Sequence, residues 1–294
     1  MGTQKVKPTG ALKAFLKTDK STRVIGAVER HIISKPKDDR STTVIHPSEM
    51  ASASWCHRAQ YFWLKGEAPA PEVMSLRRAL IFAHGHAIHD IWQTWFTEMD
   101  QIKGEWICRT CKDAWFGLAS DHEADDFCDL KYKEVPVYYK PLRISGKADG
   151  WLVDFGDSLL LEVKSIGEGS IRWYAPDIAY ESENDFKKMW ANVKAPFLEH
   201  IMQAQIYMKL MELMELKDAP QEAILIYEAK GLHEIKEFVV RKSDFGVADL
   251  FEAAANIISA IDKGTPPLCN INGAAGCKKC SHYTEENQGE PTSD

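Results

Sequence analysis

The sequence predicts a mixed α/β fold in which one β-sheet is flanked by helices, and three observations predict it. Two pairs of β-rich runs, 142–153 with 158–164 and 222–229 with 233–241, are joined by glycine turns at Gly156-Asp157 and Gly231, the pattern of hairpins. Segments of helical periodicity stand around them, at 75–99, 196–217 and 244–262. The chain has 294 residues, 45% of them apolar, enough to bury one large core or two small ones.

In chain order, residues 1–46 are polar and of mixed charge, with candidate helices at 10–17 and 25–34. HPSEMASASWCHRAQYFWLKG, residues 46–66, reads as helical, with Pro47 and Ser48 at its start. Within 75–99 the apolar residues Leu80, Ala83, Ala87, Ile88, Ile91 and Trp95 recur at helical spacing. Residues 104–130 break that pattern and carry three cysteines, which marks a small Cys-rich insertion. Strand-like text resumes at 132–140, before the first hairpin. Residues 166–194 look irregular, and Pro196 opens the next helix. One domain is expected over 47–283, ending in a cysteine-bearing tail at 269–280. Residues 284–294, polar and acidic, are expected to be disordered.

Charge narrows the function. Thirty-six basic residues against 43 acidic ones leave a net −7, which argues against a protein that simply coats nucleic acid. A local basic groove remains compatible with it. Residues 1–40 hold ten Lys/Arg and four Asp/Glu, a local +6 that suits a nucleic-acid arm or a solvated tail. No apolar run approaches the roughly 18 residues of a membrane span. The start lacks the apolar segment of a secretory signal, so a soluble, cytoplasmic protein is expected. In a reducing compartment, seven cysteines point to metal chemistry rather than disulfides.

The stretch GKADGWLVDFGDSLLLEVKS, residues 146–165, carries the sharpest chemical signal. Residues two apart on a strand share a face, so Glu162 and Lys164 point together while Leu161 and Val163 point the other way. The hairpin brings Asp149 beside Glu162. Two carboxylates side by side repel unless a cation lies between them, and Mg²⁺ or Mn²⁺ prefers such oxygen ligands. Lys164 is placed to orient or deprotonate a water, or to hold a phosphate oxygen. These parts suit phosphodiester hydrolysis. The plainer alternative is an ordinary Glu–Lys pair on a strand edge, because the pattern is short.

Further motifs weigh against the plainer alternative. GHAIH supplies Gly85 and His89 in a G-x3-H pattern before the sheet, and QAQIY supplies Gln203 and Tyr207 in a Q-x3-Y pattern after it. Gln203 and Tyr207 are four apart and share one helix face. In order and spacing the set resembles the PD-(D/E)xK nucleases, in the RecB-like branch that includes the CRISPR-associated iron–sulfur exonucleases. The resemblance implies a restriction-endonuclease-like core. It also implies a metal site of His89, Asp149, Glu162 and the Val163 carbonyl, with Lys164 serving the water and Gln203 and Tyr207 steadying the lysine or the DNA backbone. His86 competes with His89, and the glycine spacing favours His89. The activity implied is exonucleolytic cleavage of DNA ends, single-stranded for preference, in recombination, end processing or CRISPR adaptation. A structure-selective endonuclease and a non-catalytic DNA-end-binding adaptor are the alternatives. Trp173, Tyr174 and Trp190 are candidates for stacking bases or for core packing.

The cysteines fall into two sets. Cys269, Cys277 and Cys280 close the folded region, and Cys56, in CHRAQYFWLKG, is the available fourth thiolate. The resemblance implies a [4Fe–4S] cluster there; zinc also accepts four thiolates. Cys108, Cys111 and Cys128 form the second set, with His122 the best fourth ligand in reach and Asp121 and Asp129 weaker ones. A Cys-x2-Cys pair suits zinc, and the nuclease resemblance does not call for this site.

Overall fold

A computed structural model describes residues 23–34, 41–68, 73–123 and 127–271. The chain divides into two compact units. The first is Met1–Asp39 with Pro71–Ala83; within it the described residues form helix α1 (Arg23–Ser34) and the start of α4 (Leu76–Glu98). The second, Arg40–Ala70 with His84–Asp294, carries the sheet. The expected helix at 10–17, Cys277, Cys280 and the acidic tail lie outside the described residues.

The sheet is mixed, as predicted. Its strand order is β2 (Ala114–Gly117), β1 (Ile102–Cys108), β6 (Gly150–Leu152), β7 (Leu159–Ile166), β8 (Glu222–Ala229) and β9 (Ile235–Arg241), with β3 (Leu130–Tyr132) also pairing with β1. Neighbours run antiparallel except β7 and β8, which are parallel. That parallel step needs a crossover, and residues between β7 and β8 supply it as four helices: α5 (Glu168–Tyr174), α6 (Pro176–Glu181), α7 (Phe186–Asn192) and α8 (Leu198–Leu213). The first three correct the expectation of irregular chain at 166–194. Each is one or two turns long, too short for periodicity to register.

β7 is buried on both faces, which explains its near-continuous apolar text. Leu159, Leu161 and Val163 join a core with Ile224, Ile226 and Phe96 of α4. Leu160 and Ile166 join the other core, built with α8 and α9 (Val247–Lys263). On α4 the packed stripe is Ile88, Trp92 and Phe96, whereas Ile91 and Trp95 face outward.

Two predicted elements break in instructive places. The helix expected over 46–66 is two helices, α2 (Pro47–Met50) and α3 (His57–Leu64). Between them, tertiary partners satisfy the backbone: Glu199 accepts from the Ala53 N–H and Asn270 donates to the Trp55 carbonyl. Cys56 then caps α3, its sulfur accepting from the Ala59 N–H. The strand expected over 142–153 splits at Asp149. Its first half, β5 (Ile144–Ala148), pairs with β4 (Val135–Tyr139) in a separate two-stranded sheet, and its second half is β6. Gly150 permits the join, since a Cβ there would meet Ile102 Cδ1 at 2.7 Å. Among the described residues no helix is long and apolar enough to cross a membrane.

Candidate active site

Asp149 sits where the chain leaves one sheet for the other. β6 begins with Gly150 paired to Leu161, so the Val163 N–H lies beyond the reach of that pairing. The Asp149 carboxylate takes that position, with Oδ2 accepting from Val163 N at 2.7 Å. Its Oδ1 lies 3.2 Å from His89 Nδ1 on α4, and Gln93, one turn further along α4, donates to the Asp149 carbonyl at 3.0 Å. His89, and not the exposed His86, is the histidine that reaches the carboxylate. Gly85 lets this turn approach β7, its Cβ position lying 3.4 Å from Ser165 Oγ.

Glu162 and Lys164 share the opposite face from Leu161 and Val163, as strand alternation requires. Lys164 Nζ lies 2.5 Å from Glu162 Oε1 and donates to Gln203 Oε1 at 2.9 Å. Gln203 donates in turn to the Tyr207 hydroxyl at 3.1 Å, along one face of α8. One chain of polar contacts thus runs Glu162–Lys164–Gln203–Tyr207, and a second runs His89–Asp149–Val163. The cleft they border has a volume of about 300 Å³ and is also lined by Ser48, Tyr174, Glu199 and His200.

Electrostatics follow from burial and crowding. Burial pushes the Glu162 carboxyl up and Asp149 adds to it; Lys164 opposes them, and the group settles at about 7. Burial works against charge on Lys164, yet Glu162 and Asp149 together hold its pKa above the ordinary lysine value. Lys164 is therefore a cation at neutral pH, a donor rather than a base. Burial also opposes charge at Asp149, but His89 keeps its pKa below the usual carboxylate value. Glu162 Oε2 is buried and accepts no hydrogen bond among the described residues. A buried carboxylate oxygen without a partner costs several kcal/mol in order of magnitude. The donor set of two carboxylates and an imidazole fits an oxygen-seeking divalent cation, which would occupy that oxygen.

His200 adds a polar group held by the buried neighbour Tyr227. The Tyr227 hydroxyl accepts from the Phe197 N–H at 2.9 Å and lies 2.5 Å from His200 Nδ1. His200 lines the cleft. Burial and the nearby Lys164 charge lower His200 to about 3, so it stays neutral. Of Gln93, Glu199 and His200, only His200 is a candidate in the sequence, as a supporting residue beside Gln203. The available signals were spacings: Gln93 lies four residues after His89, and His200 three before Gln203.

Of the aromatics considered for base stacking, Trp190 belongs to the core, Trp173 is exposed, and Tyr174 stacks on Phe197 at the cleft. Cys56 and Cys269 are both buried, and their segments are clamped together across two hundred residues of sequence. Asn270 accepts from the His57 N–H and donates to the Trp55 carbonyl, each at 2.9 Å, and Arg58 donates to the Pro267 carbonyl at 3.0 Å. Cys108, Cys111, His122 and Cys128 converge elsewhere, their ligand atoms all within 4.8 Å of one another.

No family model matches the chain, and no curated protein matches it. Among solved structures it is similar to an alkaline exonuclease (LHK-Exo) from Laribacter hongkongensis, at 12% identity and a TM-score of 0.42, over 76% of this chain and 90% of that one. The same exonuclease in complex with dAMP matches at 13% identity and a TM-score of 0.40, over 76% and 90%. SSO0001 matches at 14% identity and a TM-score of 0.35, over 82% and 84%.

Proposed function

We propose that the chain is a divalent-metal-dependent deoxyribonuclease of the PD-(D/E)xK kind that removes nucleotides from DNA ends, single-stranded ends for preference. The observation that carries this reading is the cluster of His89, Asp149, Glu162 and Lys164 beside a cleft that His89 and Lys164 line, with one Glu162 oxygen buried and unsatisfied. His89, Asp149, Glu162 and the Val163 carbonyl would hold Mg²⁺ or Mn²⁺, which neutralises charge on the phosphate and makes water a better nucleophile. The chain's own groups then divide the work. The Lys164 ammonium, anchored between Glu162 and Gln203, donates to a phosphate oxygen or orients the water. Gln203 and Tyr207 keep the ammonium from swinging away, and the neutral His200 ring lines the same cleft. In the reaction, water oxygen bonds to phosphorus, the P–O bond to the leaving sugar breaks, and that oxygen takes up a proton.

The exonuclease mode rests on the motif resemblance. So does a [4Fe–4S] cluster on Cys56, Cys269, Cys277 and Cys280, which the Asn270 clamp between the Cys56 and Cys269 segments supports. End-labelled linear and closed circular single-stranded DNA, each with and without Mn²⁺, test the activity. Loss of the linear strand with survival of the circle is expected. Cutting of the circle would make the protein an endonuclease, and binding without cleavage would make it an end-binding adaptor.

A further inference from the structure

The cysteine-bearing ribbon does no work in the cleft chemistry, yet its side chains are arranged for a ligand. Cys108 ends β1, and the chain turns back at once through Lys112, whose φ is 68°. In that turn the Cys111 N–H donates to Cys108 Sγ at 3.3 Å and the Cys108 N–H to the Asp113 carbonyl at 2.9 Å. The Cys128 segment is tied to the same turn. Arg109 N–H donates to the Asp129 carbonyl at 2.8 Å, and Thr110 Oγ1 bridges the Phe127 carbonyl and the Asp129 N–H. Cys111 Sγ and Cys128 Sγ lie 3.5 Å apart. That is far beyond the roughly 2.05 Å of a disulfide. It is close to the edge of a tetrahedron whose metal–sulfur bonds are about 2.3 Å, roughly 3.7 Å.

A second observation points into the same place. His122 is stacked on Trp115, with ring centroids 4.7 Å apart and planes 12° from parallel. Its Nε2 is buried and makes no hydrogen bond among the described residues. A ring held by stacking, with a buried nitrogen left bare, is an acceptor awaiting a partner.

We propose that Cys108, Cys111, His122 and Cys128 bind one zinc ion, and that this ion is structural. Three thiolates and an imidazole are soft and borderline donors, which suit zinc and not the oxygen-seeking cation of the cleft. Four protein ligands leave no open position for substrate. The ion closes a ribbon of β1, β2 and β3 in which Trp106 stacks on Trp115 and lies tilted against Tyr132. β1 also belongs to the main sheet, pairing Ile102 with Leu152 and Lys103 with Trp151. The ion therefore fixes the outer end of a strand whose inner end supports β6.

The test uses the full chain. Zinc and iron are counted per chain in the wild type and in Cys111→Ser/Cys128→Ser; the double variant is expected to lose one zinc equivalent and no iron. Equal zinc in both, or iron lost with the cysteines, overturns the proposal. Should the double variant fail to fold, His122→Cys keeps the question open to measurement. After chelation and refilling with Co²⁺, the wild type should show the intense visible bands of a tetrahedral thiolate site. His122→Cys should retain the metal with stronger thiolate charge transfer. Weak octahedral bands in the wild type, or identical spectra for the two proteins, overturns it.

Discussion

The cleft and the ribbon are both clusters of metal-seeking side chains, and they are built in opposite ways. The cleft gathers His89, Asp149, Glu162, Lys164, Gln203 and Tyr207 from one helix, a strand junction, a second strand and another helix. The ribbon gathers four ligands from twenty-one consecutive residues through one turn and short pairings. The cleft's groups are mutually engaged, and among the described residues Glu162 Oε2 is a buried oxygen left without a partner there, whereas the ribbon's thiols lie against one another and His122. A site made of distant parts is as stable as the sheet that assembles it. A site made of neighbours can itself be what stabilises the sheet edge.

Substitutions at the two places should therefore separate chemistry from stability. The largest effect is expected in the cleft: Glu162→Ala and Lys164→Ala should each lower cleavage by about 10²–10³-fold or more while the melting temperature stays near that of the wild type. Cys111→Ser should do the reverse, lowering the melting temperature with turnover on short oligonucleotides within a few-fold of wild type. Turnover and thermal melts on the same preparations check both, and matched losses in the two would erase the distinction.

Gly150→Ala probes the joint between the regions. The added Cβ would press on Ile102 Cδ1 at 2.7 Å and on Leu161, so a loss of about 1–3 kcal/mol is expected in urea unfolding. Activity should fall with it, because Asp149 is the neighbouring residue.

His200 gives a prediction with a sign. Its folded pKa, about 3, lies below the ordinary histidine value of 6.5, so the unfolded chain binds the extra proton between those limits. Stability from this group is complete above about pH 6.5 and is lost as pH falls toward 3. His200→Gln should spare the protein about 2 kcal/mol of acid destabilisation between pH 7 and about pH 5, relative to wild type, in paired urea titrations. The smallest effect should come from Tyr207→Phe. It removes one hydrogen bond to Gln203 and should cost about 0.5–1.5 kcal/mol, with a several-fold fall in turnover as Lys164 loosens.

By itself the sequence determined strands close to those observed, expected at 158–164 and 222–229, the long helix expected at 75–99, the alternation that points Glu162 and Lys164 together, and the close spacing of the ribbon cysteines. All of these are local: they depend on period, turn residues and separations of a few positions, which are written in the chain. The tertiary structure decided the rest. It divided one predicted strand at Asp149, because Gly150 could approach Ile102 and the Val163 N–H needed a partner. It broke the helix over 46–66, because Glu199 and Asn270 offered that backbone better partners than its own next turn did. It also placed His200 Nδ1 against the Tyr227 hydroxyl, twenty-seven residues away. Each of these is a hydrogen bond or close approach between residues distant in sequence, and their geometry exists only once the sheet has formed.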